Sequence, residues 1–280
     1  FRFSYTNDEE AKVQFAHTFS NERVNAEIVL QKKDAETNTN VPQGDASLEQ
    51  AVYGVYARKD IVHPDGKTGV IYKAGEQVGT LTTDKEGKAR IENLYLGEYF
   101  VKEITPPVGY LADENEYDLV CSYEGDLVAT VERDCTSPEQ VKKQPFQIIK
   151  AANNENTDAA LLEGAGFTAY LVSSLTVKED GTYDFDSATP VVLGENGATE
   201  IFTDKKGYAV SIPLPYGTYV VRETTTPHNY KPVDDFIVRI TEHKPTEPQV
   251  WRVLLDDEFS AKLKITKQDD ETKKTVLAAG

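Results

Sequence analysis

One stretch of this chain is written twice, and it limits the fold more than any other feature. Residues 94–110 and 214–230 share the pattern Y-x-x-x-E-x-x-x-P-x-x-Y, with Tyr99, Glu103, Pro107 and Tyr110 matched by Tyr219, Glu223, Pro227 and Tyr230. The offset is constant at 120 positions (223 − 103). The turn before it repeats as well: Thr83-Asp84-Lys85-Glu86-Gly87 matches Thr203-Asp204-Lys205-Lys206-Gly207. A period this long is a domain in a string rather than a solenoid unit.

Inside each repeat, apolar residues alternate in short runs divided by Gly, Asp, Asn and Pro. Tyr (15) outnumbers Phe (11), and Val, Ile and Thr are frequent, which favours strands. The pattern predicts an all-β chain: about seven short strands per repeat, folded as a β-sandwich. Residues 45–51 read as one helical turn. Boundaries fall at 1–22 (the closing strands of a preceding domain), 23–140, 141–259 and 260–280 (the opening strand of a following one). The chain has 280 residues and no Met, and is read as an internal piece of a longer protein.

The 280 residues carry 30 Lys and Arg against 47 Asp and Glu, for a net charge of −17. That charge repels nucleic acid and anionic lipid, so neither is expected as a partner. No apolar run reaches the ~20 residues of a membrane helix. The four histidines (His17, His63, His228, His243) are scattered, and no zinc, phosphate or dinucleotide motif is present, so no metal and no cofactor is expected. Acidic residues paired as in a hydrolase are a remote alternative.

The anomaly lies in the alternation itself. Tyr99, Val101 and Glu103 share one strand face, as do Tyr219, Val221 and Glu223, so a glutamate points inward in each repeat. The opening strands end an apolar face in a lysine: Ile28, Leu30, Lys32 in the first and Phe146, Ile148, Lys150 in the second. A third such strand carries Lys267. In the last strand of the second repeat, the apolar alternation of Trp251, Val253 and Leu255 carries Asp257 inward. Buried lysine and carboxylate are costly unless paired or neutralised. Such a triad either remains an ion network or condenses to an amide. Condensation needs a neutral amine and a protonated acid, and desolvation drives both. A second acid can move the proton, and fixed geometry replaces a bimolecular encounter.

The Y-x-x-x-E-x-x-x-P-x-x-Y stretch resembles the E-box of the Cna B-type (prealbumin-like) domains of Gram-positive surface adhesins and pilins. The Ile265-Thr266-Lys267-Gln268-Asp269 strand is similar to that family too, and the resemblance covers nearly the whole chain. It implies tandem transthyretin-like β-sandwich domains, each tied by a self-formed Lys–Asn/Asp isopeptide bond that the E-box glutamate promotes. It implies a stalk or pilus shaft at a Gram-positive cell surface, attached to the wall, with neighbouring domains of the same protein as partners. Turnover catalysis is not expected. Carried over residue by residue, Lys150 is the nucleophile, Asp257 the electrophile and Glu223 the catalyst, while Asn21 and Lys267 are halves of neighbouring sites.

The first repeat departs from the pattern. Lys32 and Glu103 are in place, but the nearest acceptor, Asp134, faces outward by parity. Cys121 and Cys135 sit on its late strands, and a disulfide could replace or supplement the amide there. The competing class is a ligand-binding adhesin module that takes a host matrix protein or a glycan. Exposed aromatics on the long loop 172–203, Tyr183 and Phe185 among them, would favour it.

Overall fold

A computed structural model describes residues 17–19, 22–153, 160–250, 252–259, 266, 268 and 271–274. Asn21, Trp251 and Lys267 lie outside them. Each repeat contributes seven principal strands. In the first they are β1 (Asn25–Asp34), β2 (Val52–Ala57), β3 (Gln77–Thr82), β4 (Lys88–Leu94), β5 (Gly97–Thr105), β6 (Glu116–Cys121) and β7 (Thr130–Glu139). In the second they are β8 (Gln147–Ala152), β9 (Gly166–Leu171), β10 (Glu200–Phe202), β11 (Tyr208–Val210), β12 (Gly217–Thr225), β13 (Phe236–Ile240) and β14 (Arg252–Asp256). Residues 45–51 form turns and bends, not the helical turn expected there.

Each set makes two sheets with the same order. One is three-stranded, β4-β1-β7 and β11-β8-β14; the other is four-stranded, β3-β2-β5-β6 and β10-β9-β12-β13. The opening strand is the centre of the smaller sheet, and its last strand runs parallel beside it. Opening and closing strands of each domain are thus direct neighbours. All five inward positions of β1, Ala26, Ile28, Leu30, Lys32 and Asp34, are fully buried. Ala26, Ile28 and Leu30 pack in one cluster with Tyr53, Val55, Tyr99 and Val101 of the facing sheet. The second core repeats this with Ile148, Phe167, Ala169, Tyr219 and Val221.

The repeated turn places the lysine. Asp84 Oδ1 accepts the N–H groups of Glu86 and Lys88, and Asp204 Oδ1 accepts those of Lys206 and Tyr208. Gly87 (φ 73°) and Gly207 (φ 65°) close the turns in the left-handed region. Their carbonyls accept the backbone N–H of Lys32 at 2.8 Å and of Lys150 at 2.7 Å. A Cβ on Gly87 would lie 2.9 Å from the Lys32 carbonyl oxygen, and one on Gly207 would overlap that of Lys150.

The two domains meet where Ala46, Leu48, Tyr110 and Val141 pack with Tyr216. Asp45 reaches across: its N–H donates to the Tyr216 carbonyl at 2.8 Å, and its Oδ2 accepts the Thr218 N–H at 2.9 Å. The aromatics of the long loop fold back on the protein. Phe185 packs edge-on against Tyr170, 5.1 Å between centroids, and lies under the Arg222 guanidinium at 4.0 Å.

Candidate functional site

Both domains bring a lysine and two carboxylates together between the sheets. In the second, Lys150 Nζ donates to Glu223 Oε2 at 2.7 Å and to Asp256 Oδ1, and all three side chains are fully buried. Glu223 Oε2 also accepts the Val233 N–H at 3.0 Å, while the Phe167 ring lies 5.7 Å from Nζ. In the first, Lys32 Nζ contacts Glu103 Oε1 at 3.1 Å and Glu139 Oε1, again with almost no exposure. Glu103 Oε2 accepts the Asp113 N–H at 2.8 Å, the counterpart of the Val233 contact.

The strand register sets these positions. Lys150 pairs with Leu254 and Ala152 with Asp256; Lys32 pairs with Ser137 and Asp34 with Glu139. In both domains the acid stands opposite the residue two beyond the lysine. The glutamate is placed equally well: Tyr53 pairs with Glu103 and Phe167 with Glu223, each beside a bulge that skips the next residue of β5 or β12.

Two expected acceptors are elsewhere. Asp257 is exposed and its Oδ1 accepts the Asn153 amide at 2.7 Å. Val253 and Leu255 lie outward with it, because the parallel register with β8 turns Leu254 and Asp256 inward. The more apolar residues occupy the outer face of β14, so apolarity gave the wrong parity. Asp134 pairs with Val29 and is exposed, while Glu139 continues the inward face of Val131, Cys135 and Ser137. Pro138 suggests a strand end, but β7 is an edge strand, where proline is tolerated. Cys121 and Cys135 are buried free thiols on β6 and β7. Asn21 and Lys267 lie outside the described residues.

Burial governs the electrostatics. It lowers the Lys32 ammonium to about 8 against the pull of Glu103. It raises the Asp256 carboxyl, with Glu223 adding to the rise and Lys150 opposing it. Three charges would leave each cage with an excess negative charge, and protonating one acid removes it. Asp256 Oδ2, Glu223 Oε1 and Glu139 Oε2 are buried without a hydrogen-bond partner among the described residues. Leaving such an oxygen unsatisfied costs about 1–3 kcal/mol, and more when the carboxylate is ionised.

The walls of the two cages differ in a coherent way. At equivalent register positions the first domain has Tyr53, Ser137 and Tyr117 where the second has Phe167, Leu254 and Phe236, and Asp113 donates its N–H to the glutamate where Val233 does in the second. Tyr53 OH accepts from Lys32 Nζ at 2.9 Å and lies 2.9 Å from both Glu139 Oε1 and Ser137 Oγ. Ser137 Oγ donates to Asp113 Oδ2 at 3.2 Å. Tyr53 and Glu139 were invisible as site residues in sequence: a tyrosine on a core strand and a glutamate after a proline carry no motif.

No metal-binding cluster of His, Cys, Asp or Glu occurs among the described residues, nor any helix long and apolar enough to cross a membrane.

The architecture defines a class: tandem prealbumin-like β-sandwiches. The SpaA prealbumin-like fold domain model matches residues 26–134 and again 145–252, and the chain belongs to that family. Among solved structures, the Bacillus anthracis TIE protein is similar at 20% identity with a TM-score of 0.52, covering 91% of this chain and 41% of that one. The present chain therefore spans well under half of that protein. The minor pilin GBS52 of Streptococcus agalactiae matches at 17% identity (TM-score 0.37, 86% of this chain, 100% of that one). The shaft pilin SpaA of Lactobacillus rhamnosus GG also matches at 17% (TM-score 0.30, 86% and 99%). A search of curated proteins gave no match.

Proposed function

We propose that this chain is a structural module of a stalk or pilus-like shaft on the wall-attached surface of a Gram-positive cell. Its second domain locks itself by an amide between Lys150 and Asp256 that Glu223 promotes. The observation that carries the reading is the buried triad joining the first strand to the last, with the oxygen that condensation would remove, Asp256 Oδ2, left without a partner among the described residues. The neutral amine attacks the protonated carboxyl, Nζ bonds to Cγ, and Oδ2 leaves as water. Glu223, hydrogen-bonded to Nζ, carries the proton from nitrogen to the leaving oxygen. The product is uncharged, so the burial penalty disappears.

The placement suits tension. Parallel β8 and β14 carry the chain in at one end and out at the other. A bond between them routes force from strand to strand and around the core. It also closes a loop of 106 positions, worth about 4–5 kcal/mol by the loop-entropy account of cross-links. The partners in this reading are neighbouring domains of the same protein and other subunits of the same shaft. The aromatics of the long loop are half-buried, with Phe185 packed on Tyr170 and Arg222, which supports a structural role for the loop over a matrix- or glycan-binding one.

The test is the intact mass of the purified chain beside Glu223→Ala and Asp256→Ala. The wild type is expected to lack a water that both variants retain, with a branched peptide joining Lys150 to Asp256. A wild type that carries no such branched peptide sinks the mechanism.

A further inference from the structure

We propose that the first domain builds a different cross-link, an amide between Lys32 and Glu139, with the Tyr53 hydroxyl as the hydrogen-bond donor to the acyl oxygen. The proposal rests on the self-condensation chemistry inferred for the second domain, but on separate residues.

Glu139 occupies the register position of Asp256, one methylene longer, and it reaches the same lysine. Its Oε1 faces both Lys32 Nζ and the Tyr53 hydroxyl, while Oε2 has no hydrogen-bond partner among the described residues. The two oxygens are therefore already distinguished. Lys32 attacks as the neutral amine and bonds to Cδ of protonated Glu139. The Cδ–Oε2 bond then breaks. Oε2 leaves as water with its own proton and one taken from Nζ by way of Glu103. During attack, negative charge gathers on Oε1, where Tyr53 stands 2.9 Å away. Burial keeps the Tyr53 phenol protonated far above its ordinary range, so it remains a donor.

The second domain has Phe167 at the Tyr53 position and no equivalent hydroxyl. The longer glutamate and the tyrosine thus occur together, and the shorter aspartate occurs with phenylalanine. Phe167 also shows that a phenylalanine ring fits this fold at that position.

The experiment follows cell-free synthesis of the full chain by peptide mapping over time, for wild type, Tyr53→Phe and Glu139→Gln. The expected wild type shows a branched peptide joining Lys32 to Glu139. Tyr53→Phe slows its appearance on the order of 10²-fold, with the Lys150–Asp256 peptide forming at the wild-type rate. Glu139→Gln forms the same peptide with loss of ammonia instead of water. A wild type with the second-domain link but none at Lys32 overturns this proposal and leaves the other standing. Neither link removes both. A Lys32–Glu139 link that forms equally fast in Tyr53→Phe overturns the role of Tyr53.

Discussion

Lys150 donates its backbone N–H to the carbonyl of Gly207 at 2.7 Å, and no side chain larger than hydrogen fits between them. A turn motif on one strand connection therefore fixes the height of Lys150 on another strand. Gly207→Ala should destabilise the protein by about 1–3 kcal/mol and slow the Lys150 cross-link. Gly66→Ala is the control, because Gly66 has a similar φ of 67° with open space around it. Urea denaturation with peptide mapping should show the larger stability loss, and any cross-link defect, only in Gly207→Ala.

The identity of the acceptor has a chemical signature. Asp256→Asn should still cross-link, with loss of ammonia in place of water, whereas Asp257→Ala should behave as wild type. Asp256→Ala should abolish the Lys150 cross-link, leave Lys150 paired with Glu223 alone, and lose about 4–5 kcal/mol of cross-link stabilisation. Mass spectrometry and thermal melts of the three variants check this. Cross-linking abolished by Asp257→Ala would return the site to the outer face of β14.

The pH dependence of the first domain follows from Lys32, whose folded value is lowered to about 8. The reactive form, neutral amine beside protonated acid, holds the same single proton as the ion pair. Its fraction is therefore constant while that proton stays bound. Above about 8 the pair loses it, and the rate of Lys32–Glu139 formation should fall about tenfold per pH unit. A rate that climbs steadily from pH 8 to 10 would contradict this assignment.

Lys32 also has a consequence for stability in a variant that cannot react, such as Glu103→Gln. Burial lowers the folded amine from 10.5 to about 8 with Glu103 present, and losing the pull of Glu103 lowers it further, so between that lowered value and 10.5 the unfolded chain binds more protons. The Lys32 contribution therefore destabilises below pH 8 and is relieved as pH rises toward 10.5. Comparison with Glu103→Gln/Lys32→Met by denaturation at pH 7 and pH 9.5 isolates it: the gap between the two variants should narrow at the higher pH.

The thiols should be inert in the folded protein. Burial raises both, Cys135 up to about 12. Iodoacetamide should label neither cysteine in buffer and both in denaturant, and reductant should leave the native mass unchanged.

The repeat, the strand alternation and the paired lysine and glutamate were legible in sequence because each is local: a turn, a period of two, a motif of twelve residues. The partner of each lysine was not. Asp256 and Asp257 are adjacent, and the choice between them depends on the register of a strand paired with another more than 100 positions away. The outer face of β14 is the more apolar one, so composition pointed the wrong way. Glu139 was hidden for a related reason, behind a proline that only an edge strand tolerates. The sequence by itself determined that two β-sandwiches would each bury a lysine and a glutamate. The tertiary structure decided which carboxylate meets each amine and what surrounds it, because side-chain parity is a property of paired strands rather than of one strand alone.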